Sequence, residues 1–142
     1  MTRACPACQR PNRIPARHLA DTGRCGACRA ALPPVDVPLD VDGAAFDEIT
    51  REAGVPVLVD FWAPWCGPCR MAAPAVKSVA GEVAGRALVL KVNTDEHPAV
   101  AARYGVRGIP NFVVLRQGQV VHQQAGVASA EDMARWLAVA AR

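Results

Sequence analysis

The 142 residues are 51% apolar and 20% charged, with a mean hydropathy of +0.11. This is globular composition, and it excludes a disordered tail or a mucin-like stalk. At 15.0 kDa the chain is one ordinary domain, able to hold its own core, with room for a small appendage. No apolar run approaches the ~20 residues that span a bilayer, so no membrane association is expected. The opening Met1-Thr2-Arg3-Ala4-Cys5 lacks the apolar stretch of a secretory signal, so a cytoplasmic location is expected. Six cysteines in that reducing setting point to metal ligation or redox chemistry rather than a disulfide framework.

Charge and composition divide the chain. Residues 1–30 hold six arginines (Arg3, Arg10, Arg13, Arg17, Arg24, Arg29) against the single acid Asp21 and contain no Phe, Tyr or Trp, whereas residues 31–142 are slightly acidic. Between them Pro33, Pro34 and Pro38 mark a stiff, extended connector. The organisation expected is an N-terminal module over 1–30, a linker over 31–38 and a main domain over 39–142. Apart from a Cys-x-x-Cys spacing that occurs three times, no internal repeat is visible.

The module carries Cys5-Pro6-Ala7-Cys8 and Cys25-Gly26-Ala27-Cys28, 16 residues apart. Two such knuckles at this spacing match a tetrahedral four-cysteine zinc site of the ribbon type. A segment this small and without aromatics cannot bury enough surface to fold unaided. Zinc binding supplies roughly 10–16 kcal/mol in small fingers, enough to organise it. Rubredoxin-like iron uses the same four thiolates, and two extra redox dithiols are a further alternative. Nucleic-acid binding is not expected, because the module has no stacking aromatic. His18 is read as a bystander.

The main domain alternates elements. Asp42 caps a helix that ends near Gly54, and Val55–Phe61 is an apolar strand of the kind that fills the middle of a sheet. Residues 66–82 are helical in pattern, with a kink expected at Pro74. Ala87–Asn93 is a second strand and Pro98–Tyr104 a short helix. Phe112–Arg116 and Gln119–Gln123 form a hairpin around Gln117-Gly118. Ser129 with Asp132 opens a last helix. This order predicts an α/β domain with parallel crossovers and one antiparallel hairpin.

Trp65-Cys66-Gly67-Pro68-Cys69 lies where a strand passes into a helix. Free N–H groups and the partial positive charge of a helix start stabilise a thiolate, so Cys66 is expected to be accessible and of lowered pKa. Cys69 lies on the same helical face, three residues on, where the two sulfurs can close a disulfide. Pro68 suits an early helical position. The chemistry predicted is thiol–disulfide exchange: Cys66 attacks and Cys69 resolves.

Val59-Asp60-Phe61-Trp62-Ala63-Pro64-Trp65-Cys66-Gly67-Pro68-Cys69-Arg70-Met71 resembles the active-site segment of thioredoxins almost letter for letter. Lys91-Val92-Asn93-Thr94-Asp95, Tyr104-Gly105-Val106-Arg107-Gly108-Ile109-Pro110 and Gln117-Gly118 continue that family's order. The resemblance implies a thioredoxin fold: a five-stranded mixed sheet flanked by helices, its fifth strand supplied from around Val37–Val41. It also implies that Asp60 passes a proton to and from Cys69, that Lys91 modulates this buried acid, and that Ile109-Pro110 is a cis-proline loop pairing with the substrate backbone. Trp65, Gly67, Pro68, Ile109 and Gly126 then form the rim on which protein substrates dock, while Phe61 and Trp62 are support packing. Asn111 stands where the family usually has Thr. The Gly-Pro pair between the cysteines implies a protein-disulfide reductase, recharged by a flavin-containing, NADPH-dependent thioredoxin reductase. No organic cofactor is needed, and a monomer is expected. The stretch from Cys5 to Cys28, with Asn12-Arg13-Ile14-Pro15 inside it, resembles the extension of the zinc-bearing thioredoxin 2 branch. A second reading makes the zinc module a client-recruiting surface, with redox activity secondary.

Overall fold

The computed structural model describes residues 1–142. The N-terminal segment folds as two antiparallel hairpins. β1 (Thr2–Ala4) pairs with β2 (Pro11–Arg13), and β3 (Gly23–Arg24) pairs with β4 (Ala31–Leu32). A 3-10 turn at Ala16–His18 lies between them. The two hairpin tips are built alike. Cys5 N–H donates to Arg10 O at 2.9 Å and Gln9 N–H to Cys5 O at 2.8 Å; Cys25 N–H donates to Ala30 O at 2.9 Å and Arg29 N–H to Cys25 O at 3.0 Å. Gln9 and Arg29, the residues after the second cysteine of each knuckle, share left-handed backbone at φ +67° and +65°. A spacing in the sequence is thus a repeated knuckle in space. Ala31 and Leu32, placed in the linker by their position before the prolines, instead complete the second hairpin, where Leu32 is buried against Cys5 and Cys25.

The rest is an α/β layer structure. Its elements are β5 (Leu39–Asp40), α1 (Gly43–Glu52), β6 (Val57–Trp62), α2 (Gly67–Glu82), β7 (Leu88–Asn93), α3 (Pro98–Arg103), β8 (Asn111–Arg116), β9 (Gln119–Ala125) and α4 (Ala130–Ala140). They build one five-stranded sheet in the order β5-β7-β6-β8-β9, with β5, β7 and β6 parallel and β8 and β9 antiparallel. Caps fall where the sequence put them. Asp42 Oδ1 accepts from Ala45 N–H at 2.8 Å, and Ser129 Oγ from Asp132 N–H at 3.1 Å, each satisfying an orphan donor of a first turn. α2 runs on through Pro74. Gln117 and Gly118 both have positive φ, as a two-residue hairpin turn requires. No helix is long and apolar enough to cross a membrane.

Strand alternation sorts the core into two faces. Val57, Val59, Phe61, Leu90, Val92 and Val113 pack with Phe46 and Ile49 of α1 on one side. On the other, Leu58, Val89, Phe112 and Val114 meet Val76 and Val79 of α2 and Met133, Trp136 and Leu137 of α4. The first face also takes Ala16, Leu19 and Val35 from the N-terminal segment, whose 3-10 turn lies against α1. Leu19, only 1% exposed, is therefore a core residue of the main sheet although it sits between the two cysteine knuckles. Leu19→Ala should cost about 3 kcal/mol of unfolding free energy and lower Tm by about 8 °C. A single thermal transition shifted as a whole is the expected record; loss of the ribbon alone, with the main transition unmoved, would show that the two parts are energetically separate.

Candidate active site and metal centre

β6 delivers the chain at Trp62, and Ala63–Trp65 turn it into α2, whose N-cap is Cys66. The Cys66 backbone is extended, at φ −82° and ψ 110°, and its Sγ accepts from Cys69 N–H at 3.2 Å. Gly67 and Pro68 occupy the first helical positions, where the missing proline N–H has no helical partner to lose. Cys66 and Cys69 are joined in a disulfide with their Cα atoms 5.2 Å apart. Cys66 is only 3% exposed and Cys69 5%. The accessibility expected of Cys66 is thus not met in this oxidised form, because Ala63, Trp62 and Ile109 pack around the sulfur pair.

Facing the disulfide is the Ile109–Pro110 bond, which is cis. The Ile109 carbonyl oxygen lies 3.6 Å from Cys66 Sγ. Pro110 O accepts from Gly126 N–H at 2.8 Å, and Gly126 adopts φ +95°, a conformation that favours glycine. Trp65 is 67% exposed, with its indole N–H donated to Asp95 Oδ2 at 2.9 Å. Gly67 and Gly126 have open space where a Cβ would stand, and Pro68 is exposed. Met71 and Val127 also present apolar surface, although neither carries a signal in the sequence that marks it as part of the rim.

Asp60 is 3% exposed on the α2-facing side of β6, and one of its carboxylate oxygens is buried without a hydrogen-bond partner. Burial pushes its pKa up to about 7; Lys91 pulls it back and Asp40 adds to the rise. Strand register places these three in a row, Asp60 opposite Lys91 and Lys91 opposite Asp40. Lys91 Nζ lies 4.3 Å above the centre of the Trp62 ring, a cation–π contact that holds the amine at the edge of the site.

The four remaining cysteines converge. Their Sγ atoms lie within 4.8 Å of one another, with Cys5–Cys28 at 3.6 Å and Cys8–Cys25 at 3.7 Å. A tetrahedron with Zn–S bonds of ~2.3 Å has edges of about 3.8 Å, so the donor set fits a four-coordinate zinc. Both short distances run between knuckles rather than within them, and all four thiols are free. That arrangement makes one four-sulfur cluster, not two separate dithiols. N–H donors are aimed at the sulfurs: Ala7 N–H to Cys5 Sγ and Ala27 N–H to Cys25 Sγ, both at 3.4 Å. Asn12 spans the two halves, with Nδ2–H on Cys25 Sγ at 3.5 Å and Oδ1 accepting from Gly26 N–H at 3.0 Å. Its role had no signature in the sequence beyond a carboxamide lying between the knuckles. His18 takes no part: its Nδ1 pairs with Asp21 at the surface, 2.8 Å away.

The profile of the thioredoxin family matches residues 37–139. Thioredoxin 1 of Synechococcus elongatus is 45% identical over 103 residues, covering 72% of this chain and 96% of that protein. Thioredoxin of Haemophilus influenzae is 39% identical over 99 residues, covering 70% and 92%. Among solved structures, a thioredoxin variant from Halobacterium salinarum superposes with a TM-score of 0.69 at 35% identity, covering 75% of this chain and 93% of its own. Sheet order, dithiol position and sequence agree on one assignment: the chain belongs to the thioredoxin family and is a thiol–disulfide oxidoreductase.

Proposed function

We propose that this protein reduces disulfides of other proteins through Cys66 and Cys69, and that it carries a structural zinc on Cys5, Cys8, Cys25 and Cys28. The reading rests chiefly on one observation: a cysteine pair at the head of α2, against the cis Ile109–Pro110 bond, with a proton-holding carboxyl buried in the adjoining strand. In the reduced protein the Cys66 thiolate attacks one sulfur of a substrate disulfide. A mixed disulfide forms and one substrate thiolate leaves. Asp60 takes the proton of Cys69, and the new thiolate attacks Cys66 Sγ. The Cys66–Cys69 disulfide closes, and the second substrate thiolate departs with the electron pair. Two electrons have moved from protein to substrate. Lys91 holds the Asp60 charge during the second step, while Trp65, Gly67, Pro68, Ile109, Pro110 and Gly126 receive the substrate chain.

Recharging requires two electrons, for which we propose a flavin-containing thioredoxin reductase drawing on NADPH. Zinc, when bound, joins the two knuckles and takes no part in the exchange. Its four thiolates bring a formal charge of −2 to the site, which the surrounding arginines partly offset. The test is NADPH consumption with insulin as the disulfide substrate and a thioredoxin reductase present, together with metal analysis of the full chain. Turnover that needs both reductase and insulin, with one zinc per chain, is the expected result. Failure to reduce insulin from the chemically reduced state removes the reading; iron in place of zinc removes only the metal assignment.

A further inference from the structure

The loop that faces the disulfide is tied at both ends by a single side chain. Gln123, on the edge strand β9, donates from Nε2 to Tyr104 O at 2.9 Å and to Asn111 Oδ1 at 3.2 Å. A carboxamide nitrogen has two hydrogens, and the two acceptors match that capacity. Tyr104 is the C-cap of α3, and its ring is set in the core, with centroids 6.0 Å from Phe46 and 5.9 Å from Phe61. Asn111 follows the cis-proline and is 6% exposed. The two anchors bracket Gly105–Pro110, which includes Gly105 and Gly108, residues that leave a backbone free to wander.

We infer that Gln123 is a positioning residue for substrate: its amide staples Tyr104 to Asn111 and thereby fixes where the Ile109–Pro110 backbone lies over Cys66. The inference deepens the reductase reading above and rests on it. Backbone bonds hold one side of the loop, through Gly126 N–H to Pro110 O. No other hydrogen bond joins the Tyr104 end to the Asn111 end. Asn111 stands where the family resemblance leads one to expect Thr, and it supplies the oxygen that the longer Gln123 reaches. A substrate that binds along the loop backbone depends on this spacing, whereas a small disulfide that only has to meet a sulfur does not.

The test compares insulin with dithiobis-nitrobenzoate as substrates of the full chain, at saturating reductase. Gln123→Met keeps the length and removes both donors. Gln123→Glu keeps the shape and presents oxygen to two oxygens. For Gln123→Met, KM for insulin should rise about three- to tenfold with kcat within about twofold, as expected for the loss of two hydrogen bonds, one exposed and one part-buried, that act on binding alone. Gln123→Glu should raise it further, and both variants should reduce dithiobis-nitrobenzoate at the wild-type rate. An unchanged KM for insulin overturns the staple. So does a fall of both substrates together, which would mean general damage to the site. If Gln123→Met loses the wild-type thermal transition, Gln123→Thr, a good strand former too short to reach either anchor, is read in its place. Wild-type protein that leaves insulin intact defeats the reductase reading itself, a result distinguishable from a variant that behaves as wild type.

Discussion

Cys69→Ser should accumulate a stable mixed disulfide with its substrate, while Cys66→Ser should form none and lose disulfide reduction by on the order of 10^3-fold or more. The asymmetry follows from the helix start. Cys66 is the N-cap, its sulfur accepts the Cys69 N–H at 3.2 Å, and it meets the positive end of α2. That end carries roughly half an elementary charge, so the negative charge of a thiolate is held best there. Cys69 lies inside the first turn, where its own N–H is already committed to its neighbour's sulfur. Attack is therefore expected to start at residue 66. Without Cys69 the reaction halts after one bond exchange, because no second thiolate stands beside the mixed disulfide. Mass spectrometry after brief exposure to insulin reads the outcome directly. Trapping by Cys66→Ser, with Cys69 as the attacking residue, would reverse the assignment.

The second large effect concerns stability rather than rate. Asp60 holds its proton to about pH 7 when folded, against 3.8 for the free side chain. Between those values the folded chain binds a proton that the unfolded chain has given up, so stability falls as pH rises. The favourable contribution is present in full below the unfolded value and is lost as pH passes through 7. Above that, an ionised carboxylate sits in an apolar layer with one oxygen unbonded. Three pH units at 1.36 kcal/mol each amount to about 4 kcal/mol. Asp60→Asn should therefore stabilise the protein by about 4 kcal/mol at pH 8, raise Tm by about 10 °C, and show little advantage near pH 4. Taking the difference between variant and wild type at each pH cancels the protonation of the four N-terminal cysteines. A difference that does not change from pH 5 to 8 would mean that Asp60 is not the group responsible. In the mechanism proposed above the same substitution removes the acceptor for the Cys69 proton, so it should slow the resolving step while it strengthens the fold. A buried acid that costs stability is a common mark of a working site.

Most of the main domain was legible because its signals are local. The apolar run Val55–Phe61 reads as an interior strand and forms one over Val57–Trp62, Asp42 and Ser129 announce their helices, and Gln117-Gly118 marks a turn. The fifth strand and the cis bond follow from family resemblance alone, since nothing in Ile109-Pro110 itself favours cis. What escaped depends on contacts distant in sequence. Leu19 lies in a stretch without periodicity, and its burial against α1 is decided by the surface it meets rather than by its neighbours. The prolines that follow Leu32 give it the look of a linker, yet the ladder with Gly23 holds it. The burial of Cys66 depends on Ile109, 43 residues away. Gln123 reads as one more polar residue on an edge strand; only the fold brings Tyr104 O and Asn111 within its reach.

The seat of Ala16, Leu19 and Val35 beneath the paired hairpins has a practical side. The thioredoxin profile matches only from residue 37 onward, which invites trimming this chain to that length. Such a shortened version would leave a bare greasy notch beside Phe46 and Ile49, and clumping at the bench, rather than any defect in electron transfer, would be its first symptom.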